Sequence, residues 1–110
     1  MTFDEHEPAW AGIDPGDHEL AATLHVLAAQ FLQGRVERYV DVTERQIDFD
    51  ALLQEPWSSS EQAMIELACT LWGRSDLADA RVRDLVRGLD DQNFDRALQA
   101  IRVRCGHARP

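Results

Sequence analysis

The chain has 110 residues, of which 45% are apolar, and a formal net charge of −9. This length is typical of one domain that buries a core without disulfides or metals. No apolar run approaches the ~20 residues of a membrane span, and the N-terminus lacks the features of a secretion signal. We therefore expect a cytoplasmic protein in which Cys69 and Cys105 are free thiols.

The negative charge is concentrated toward the N-terminus. Residues 1–19 contribute −6, residues 20–56 contribute −3, and residues 57–110 are balanced. This overall sign disfavours uniform binding to nucleic acid. All eleven basic residues are arginines, which excludes Schiff-base chemistry on a lysine and is typical of a GC-rich, bacterial genome.

The first segment, residues 1–16, combines acidic residues with prolines and glycines. This composition predicts a flexible acidic arm ahead of a single helical domain over residues 17–110. Trp10 and Ile13 are exceptions, because such arms rarely contain large apolar side chains. We interpret them as candidate contacts with the domain or with a basic partner protein.

A first helix is predicted from Asp17 to about Gln33. Four apolar residues share one face of it: Leu20, Leu24, Leu27 and Phe31. Asp17 is a favourable N-cap, and Gly34 is a natural residue to follow the helix.

Residues 35–50 leave two alternatives open. A helical turn would bring together Val36, Tyr39 and Val40. A short β-hairpin near residues 39–49 would instead pair an alternating segment containing Val40 and Val42 with one containing Ile47 and Phe49. A single helical turn is predicted for residues 50–53, and it ends before Pro56 because the residue preceding a proline disfavours the helical conformation.

A second helix is predicted from about Ser59 to Trp72, with Gly73 at its end. Ser58 and Glu61 have the spacing of a capping box, in which each side chain satisfies a free backbone N–H. The inner face of this second helix is predicted to contain Met64, Leu67, Ala68 and Leu71. Three further apolar residues beside them widen that face: Ile65, Cys69 and Trp72. So wide an apolar arc indicates a central, mostly buried helix.

Two further helices are predicted over residues 76–87 and 91–104. The inward residues of the third are predicted to be Leu77, Val82, Leu85 and Val86, and Gly88 ends it. The fourth begins at Asp90 or Asp91, and its predicted inner face is Phe94, Ala97, Leu98 and Ile101. The predicted fold class is therefore all-α, a small bundle of four main helices with the hairpin near residues 39–49 as an optional addition.

The sequence contains no pattern typical of catalysis or metal binding. Its histidines and cysteines lack the spacings of zinc sites, so we expect no metal and no cofactor. Ser58, Ser59 and Ser60 are explained as helix caps, because no nucleophile-elbow glycines surround them. We therefore predict that the protein is not an enzyme.

Two hypotheses for function remain. The first is a protein–protein interaction or oligomerising module that binds another protein or a second copy of itself. Its candidate contact residues are Trp10, Ile13, Trp57 and Trp72, because tryptophan is enriched at interfaces.

The second hypothesis is a nucleic-acid-linked regulator, which either reads DNA with the third helix or blocks a DNA-binding partner with its acidic residues. The candidate DNA contacts are Arg81, Arg83 and Arg87.

Two segments of the second half carry a resemblance. The first segment runs from Trp57 through Leu71 and Trp72 to Gly73, and the second runs from Leu89 to Phe94. In these segments the chain resembles small uncharacterised bacterial all-helical proteins of GC-rich genomes. The resemblance implies a helical fold, and it implies no activity, cofactor or functional residue.

Overall fold

A computed structural model of the chain describes residues 13–107 except Pro15. The described part is mainly helical, with a two-stranded hairpin, so the predicted fold class is confirmed. The five α-helices are α1 (His18–Leu27), α2 (Phe49–Leu53), α3 (Ser59–Leu71), α4 (Val82–Gly88) and α5 (Asp91–Arg104). The strands are β1 (Val40–Asp41) and β2 (Gln46–Ile47). Two short 3₁₀ turns, Gln30–Leu32 and Glu37–Tyr39, lie between α1 and β1.

Side-chain caps begin four of the helices. The caps are Asp17 for α1, Asp48 for α2, Ser58 for α3 and Asp90 for α5. At α3 both halves of the predicted capping box form, since Ser58 accepts from the Glu61 N–H and Glu61 accepts from the Ser58 N–H. Each cap satisfies a backbone donor that a helix start leaves without an intrahelical partner.

Glycine ends α3 as predicted. Gly73 has a φ of +82°, a left-handed conformation that costs glycine little. The N–H of Gly73 donates to the carbonyl of Thr70, and the N–H of Arg74 donates to that of Cys69. These two bonds form a Schellman motif, which satisfies carbonyls at the helix end and turns the chain away from α3.

Residues 35–50 contain both alternatives in succession. A 3₁₀ turn at Glu37–Tyr39 leads into the hairpin, in which Val40 pairs with Ile47 and Asp41 with Gln46. Arg45 closes the hairpin turn with a φ of +55°. Four residues, 42–45, connect the two strands, so the Asn-Gly or Asp-Gly dipeptide of a two-residue hairpin loop is not needed.

The core is built around α1 and α3. Both helices bury a broad apolar face, and α1 packs mainly on α5 and α3. The largest fully buried side chains are Phe49, Leu24, Leu27, Leu32, Leu52, Met64 and Ile65. Cys69 is buried among them and unpaired, as the sequence predicted.

The first helix is shorter than predicted. It ends at Leu27 instead of Gln33, because Ala29 adopts an extended ψ of 138° and the chain turns into a 3₁₀ segment. This turn buries Leu32, whereas Phe31 is only half-buried. Gly34 therefore lies in a later turn and does not end α1.

The third helix also differs from its prediction. It begins at Val82 instead of residue 76, because side chains hold the preceding segment in turns. Thr70 accepts a hydrogen bond from the Ala80 N–H at 2.8 Å, and Asp76 binds Arg74 at 2.9 Å instead of capping a helix. Val82 and Val86 were predicted to face inward, but both are exposed and only Leu85 of α4 is buried.

The buried face of α5 is the main correction. Its fully buried residues are Ala97, Ala100 and Val103, whereas Leu98 and Ile101, predicted as core, are exposed. Helix α1, on which α5 packs, contributes two buried alanines, Ala21 and Ala22. Small residues on both helices allow close approach of the two backbones, and this packing turns the larger side chains of α5 outward.

Candidate interaction surfaces

Trp57 is held in place by contacts within the fold. Its ring is half-buried against the core, and its Nε1 donates to the carbonyl of Leu52 at 2.7 Å. The guanidinium of Arg35 lies 4.2 Å from the ring centroid, which is cation–π distance. Arg35 also pairs with Glu61 at 2.9 Å, so these contacts join the 3₁₀ region to the start of α3.

Trp72, the C-cap of α3, is covered by a charged network. The guanidinium of Arg45 lies 4.6 Å from its ring centroid. Arg45 also pairs with Asp17 at 2.7 Å and with Glu19 at 3.0 Å, and Arg104 pairs with Glu19 at 3.3 Å. The hydrogen bond from Arg45 lowers the pKa of Asp17, so this carboxylate stays charged. The network ties the hairpin and the end of α5 to the start of α1.

The other two predicted contact residues lie near the N-terminus. Ile13 is half-buried and packs against the core. Trp10 lies outside the described residues. Of the four candidate contact residues, the three that the structure describes therefore make contacts within the fold.

The exposed side of α4 combines apolar and basic side chains. Val82 and Val86 are 75% and 61% exposed, and one turn of helix separates them. Arg81, Arg83 and Arg87 are also exposed. We call Val82, Arg83, Val86 and Arg87 the α4 surface.

A second exposed surface follows α5. Leu98 is 45% and Ile101 36% exposed, and they lie on one side of the helix with half-buried Phe94 and exposed Cys105. The spacing of these four residues is 4, 3 and 4, so they form a continuous stripe along the helix. We call Phe94, Leu98, Ile101 and Cys105 the α5 stripe.

Charged residues accompany the α5 stripe on one side. Asp95 follows Phe94 and Arg102 follows Ile101, and both side chains are exposed. Among the described residues neither forms an ion pair within 4.0 Å. Since they are seven residues apart, they lie about 10 Å from each other along one face of the helix.

Within residues 13–107, no three histidine, cysteine or acidic residues come close enough to hold a metal ion. The Cys69 thiol is buried and donates to the carbonyl of Arg74 at 3.0 Å, and burial raises its pKa. His25 is half-buried, and its backbone carbonyl accepts a bond from Arg96 at 2.7 Å. Burial, with a contribution from the charge of Arg96, lowers the pKa of His25 to about 4.

A polar cluster of Arg38, Tyr39 and Glu55 joins the 3₁₀ turn to the segment after α2. Both the Tyr39 hydroxyl and the Arg38 guanidinium donate to Glu55. The bond from Tyr39, followed by that from Arg38, lowers the pKa of Glu55. The cluster therefore links two surface segments through an ionised carboxylate.

None of the helices in the described part of the chain is both long and apolar enough to cross a membrane. No protein-family model, curated protein or solved structure matches the chain.

Sequence reasoning correctly placed Leu85 and Ala97 in the core. It also placed there four residues that are exposed, and so missed both surfaces: Val82, Val86, Leu98 and Ile101. One signal was available for α5, because its sequence contains two competing stripes. Phe94, Leu98 and Ile101 form the larger one, and Ala97, Ala100 and Val103 the smaller one. Only a preference for small residues at a close helix contact would have selected the second stripe as the buried one.

Proposed function

We propose that the chain is a non-catalytic protein-interaction module. The observation that supports this function is the exposure of large apolar side chains on two helices of the same domain, at Val82 and Val86 on α4 and at Leu98 and Ile101 on α5. Apolar side chains grouped on a surface typically mark sites where another macromolecule binds.

The α4 surface indicates the chemistry of a partner. Arg83 and Arg87 are exposed beside Val82 and Val86, so a partner would combine apolar side chains with carboxylates. Arginine suits this role, because its guanidinium can bind a carboxylate through two parallel hydrogen bonds. The lowered pKa values of Asp17 and Glu61 arise from hydrogen bonds within the fold, chiefly from Arg45 at Asp17 and from the Ser58 N–H at Glu61.

A site-specific photocrosslinker tests the proposal. We would place it at Val86 and, as a control, at the exposed turn residue Glu44, in cells that produce the protein. We expect a discrete protein adduct from position 86 that weakens when Arg83 and Arg87 are changed to Asp. An adduct pattern equal to that of position 44, or one unaffected by the charge reversal, would contradict a partner at this surface.

The alternative is a nucleic-acid-linked regulator. The exposure of Arg81, Arg83 and Arg87 on α4 favours it, whereas the adjacent exposed valines and the seven-residue length of α4 favour a protein ligand. A mobility-shift assay at low salt separates the two, because phosphate contacts give a strongly salt-dependent shift. A shift that Arg83→Glu abolishes would favour the alternative.

A further inference from the structure

We propose that the α5 stripe is a self-association surface, on which two copies of the chain pair their α5 helices antiparallel about a two-fold axis. The inference rests on the proposed interaction function and names the partner of one of its two surfaces as a second copy. It is carried by the spacing of the stripe and by the charges beside it.

The spacing of the stripe is that of a two-helix seam. Phe94, Leu98, Ile101 and Cys105 alternate at intervals of four and three residues, which keeps them on one side of a helix as it packs along another. Leu98 and Ile101 lie at the middle of α5, which runs from residue 91 to residue 104. The most exposed apolar side chains of α5 therefore lie where two such helices would cross.

The charges select the antiparallel orientation. In that arrangement Leu98 of each copy lies opposite Ile101 of the other, and Asp95 of each lies opposite Arg102 of the other. Two-fold symmetry means that this ion pair forms twice in the dimer. It is compatible with the contact between Leu98 and Ile101, because the midpoint between Asp95 and Arg102 nearly coincides with the midpoint between Leu98 and Ile101. A parallel two-fold arrangement would instead place the Asp95 and Arg102 side chains of the two copies on opposite sides of the seam, so that this ion pair could not form.

The size of the surface predicts a weak dimer. Helix α5 has 14 residues and is therefore about 21 Å long. One helix pair of this length buries less than the ~1,200 Å² of a standard stable interface. We therefore expect monomer and dimer to exchange, with the dimer fraction rising with protein concentration.

Charge reversal tests the pairing. Sedimentation equilibrium would compare the wild type with Asp95→Arg, Arg102→Asp and the double variant, from about 10 to about 500 µM, a range suited to weak association. Both side chains are exposed, so all variants are expected to fold, which circular dichroism verifies. Each single reversal should raise the dimer dissociation constant about tenfold, because it turns two attractive contacts into repulsive ones. The double variant should restore the wild-type value.

Arg83→Asp on α4 is the matched control and should leave association unchanged. A wild type that stays monomeric at the highest concentration, single reversals without effect, or a double variant that stays impaired would each overturn the inference. None of these results depends on a partner at the α4 surface. A monomeric protein that still gives the Val86 adduct would therefore reject the α5 pairing alone and leave the proposed function standing.

A cross-linking experiment tests the orientation independently. In the antiparallel pair Cys105 lies opposite Phe94 of the other copy, while the two Cys105 residues are about 16 Å apart along the helices. A mild oxidant should therefore give no dimer from the wild type and a disulfide dimer from Phe94→Cys. That dimer should disappear when Cys105 is also changed to Ser. Efficient cross-linking of the wild type through Cys105 would instead demonstrate parallel helices and overturn the antiparallel arrangement.

Discussion

His25 is the residue at which burial changes the chemistry most. Its imidazole lies in the last turn of α1, where a charged histidine would interact favourably with the helix dipole. Desolvation outweighs that effect, and with the nearby charge of Arg96 it holds the pKa at about 4. The ring therefore stays mostly neutral at about pH 5, where an unperturbed histidine is charged.

The depressed pKa makes stability depend on pH. Between the unfolded pKa of ~6.5 and the folded value of about 4, the unfolded chain binds one more proton than the folded chain does. The contribution of His25 to stability is therefore fully present above pH 6.5 and is lost as the pH falls toward 4. From pH 7 to pH 5, His25 should reduce the free energy of unfolding by about 2 kcal/mol. Urea titrations at pH 7 and at pH 5 would measure this change in the free energy of unfolding.

The control for this effect is a pair of glutamine variants. His25→Gln should remove most of the loss between pH 7 and pH 5, whereas His18→Gln, at an exposed position, should keep it. Equal pH dependence in the wild type and in His25→Gln would show that burial does not perturb this histidine.

At the scale of elements, the helices were better predicted than the faces that they bury. The starts of α3 and α5 follow from local capping, and both are found where the sequence places them. Helix α4 was predicted six residues too early, because the hydroxyl of Thr70 lies on another element and binds the preceding segment. Local signals therefore determine a boundary unless a tertiary contact competes for the same backbone.

A pair of leucine variants tests the corrected face of α5. Leu67 of α3 is buried, so Leu67→Ala should cost about 2–5 kcal/mol of unfolding free energy through lost burial and a cavity. Leu98 is 45% exposed, so Leu98→Ala should cost less than about 1 kcal/mol. Chemical denaturation at low protein concentration, where a weak dimer dissociates, measures both. An equal loss of unfolding free energy in the two variants would show that Leu98 is buried in the core.

At the scale of the whole molecule, charged side chains join segments that are distant in the sequence. Arg45 connects the hairpin to the start of α1 through Asp17 and Glu19, and Arg104 connects the end of α5 to Glu19. The sequence shows the charges but not these partners, which lie 26 to 85 residues apart. Their pairing follows only once α1, the hairpin and α5 are packed.

Removing Arg45 tests this network. Arg45→Ala should lower the free energy of unfolding by about 1 kcal/mol, since the pairs are partly exposed and a cation–π contact with Trp72 is also lost. Alanine keeps a Cβ, so the strain of the positive φ is unchanged. Thermal unfolding should show the difference shrinking in 1 M salt, where the Debye length is ~3 Å. Arg81→Ala, an exposed arginine outside the network, should show neither effect.

The sequence by itself determined the helical class, the caps of α1, α3 and α5, the glycine that ends α3 and the burial of Cys69. These features depend on residues close together in the chain, and local hydrogen bonding or a strong apolar pattern is enough to specify them. Only the tertiary structure decided that α5 packs through Ala97, Ala100 and Val103 and leaves Leu98 and Ile101 exposed. Hydrophobicity alone favours burying the larger side chains, but the alanines of α1 make close packing of small faces available. The surfaces proposed for interaction are a consequence of that packing.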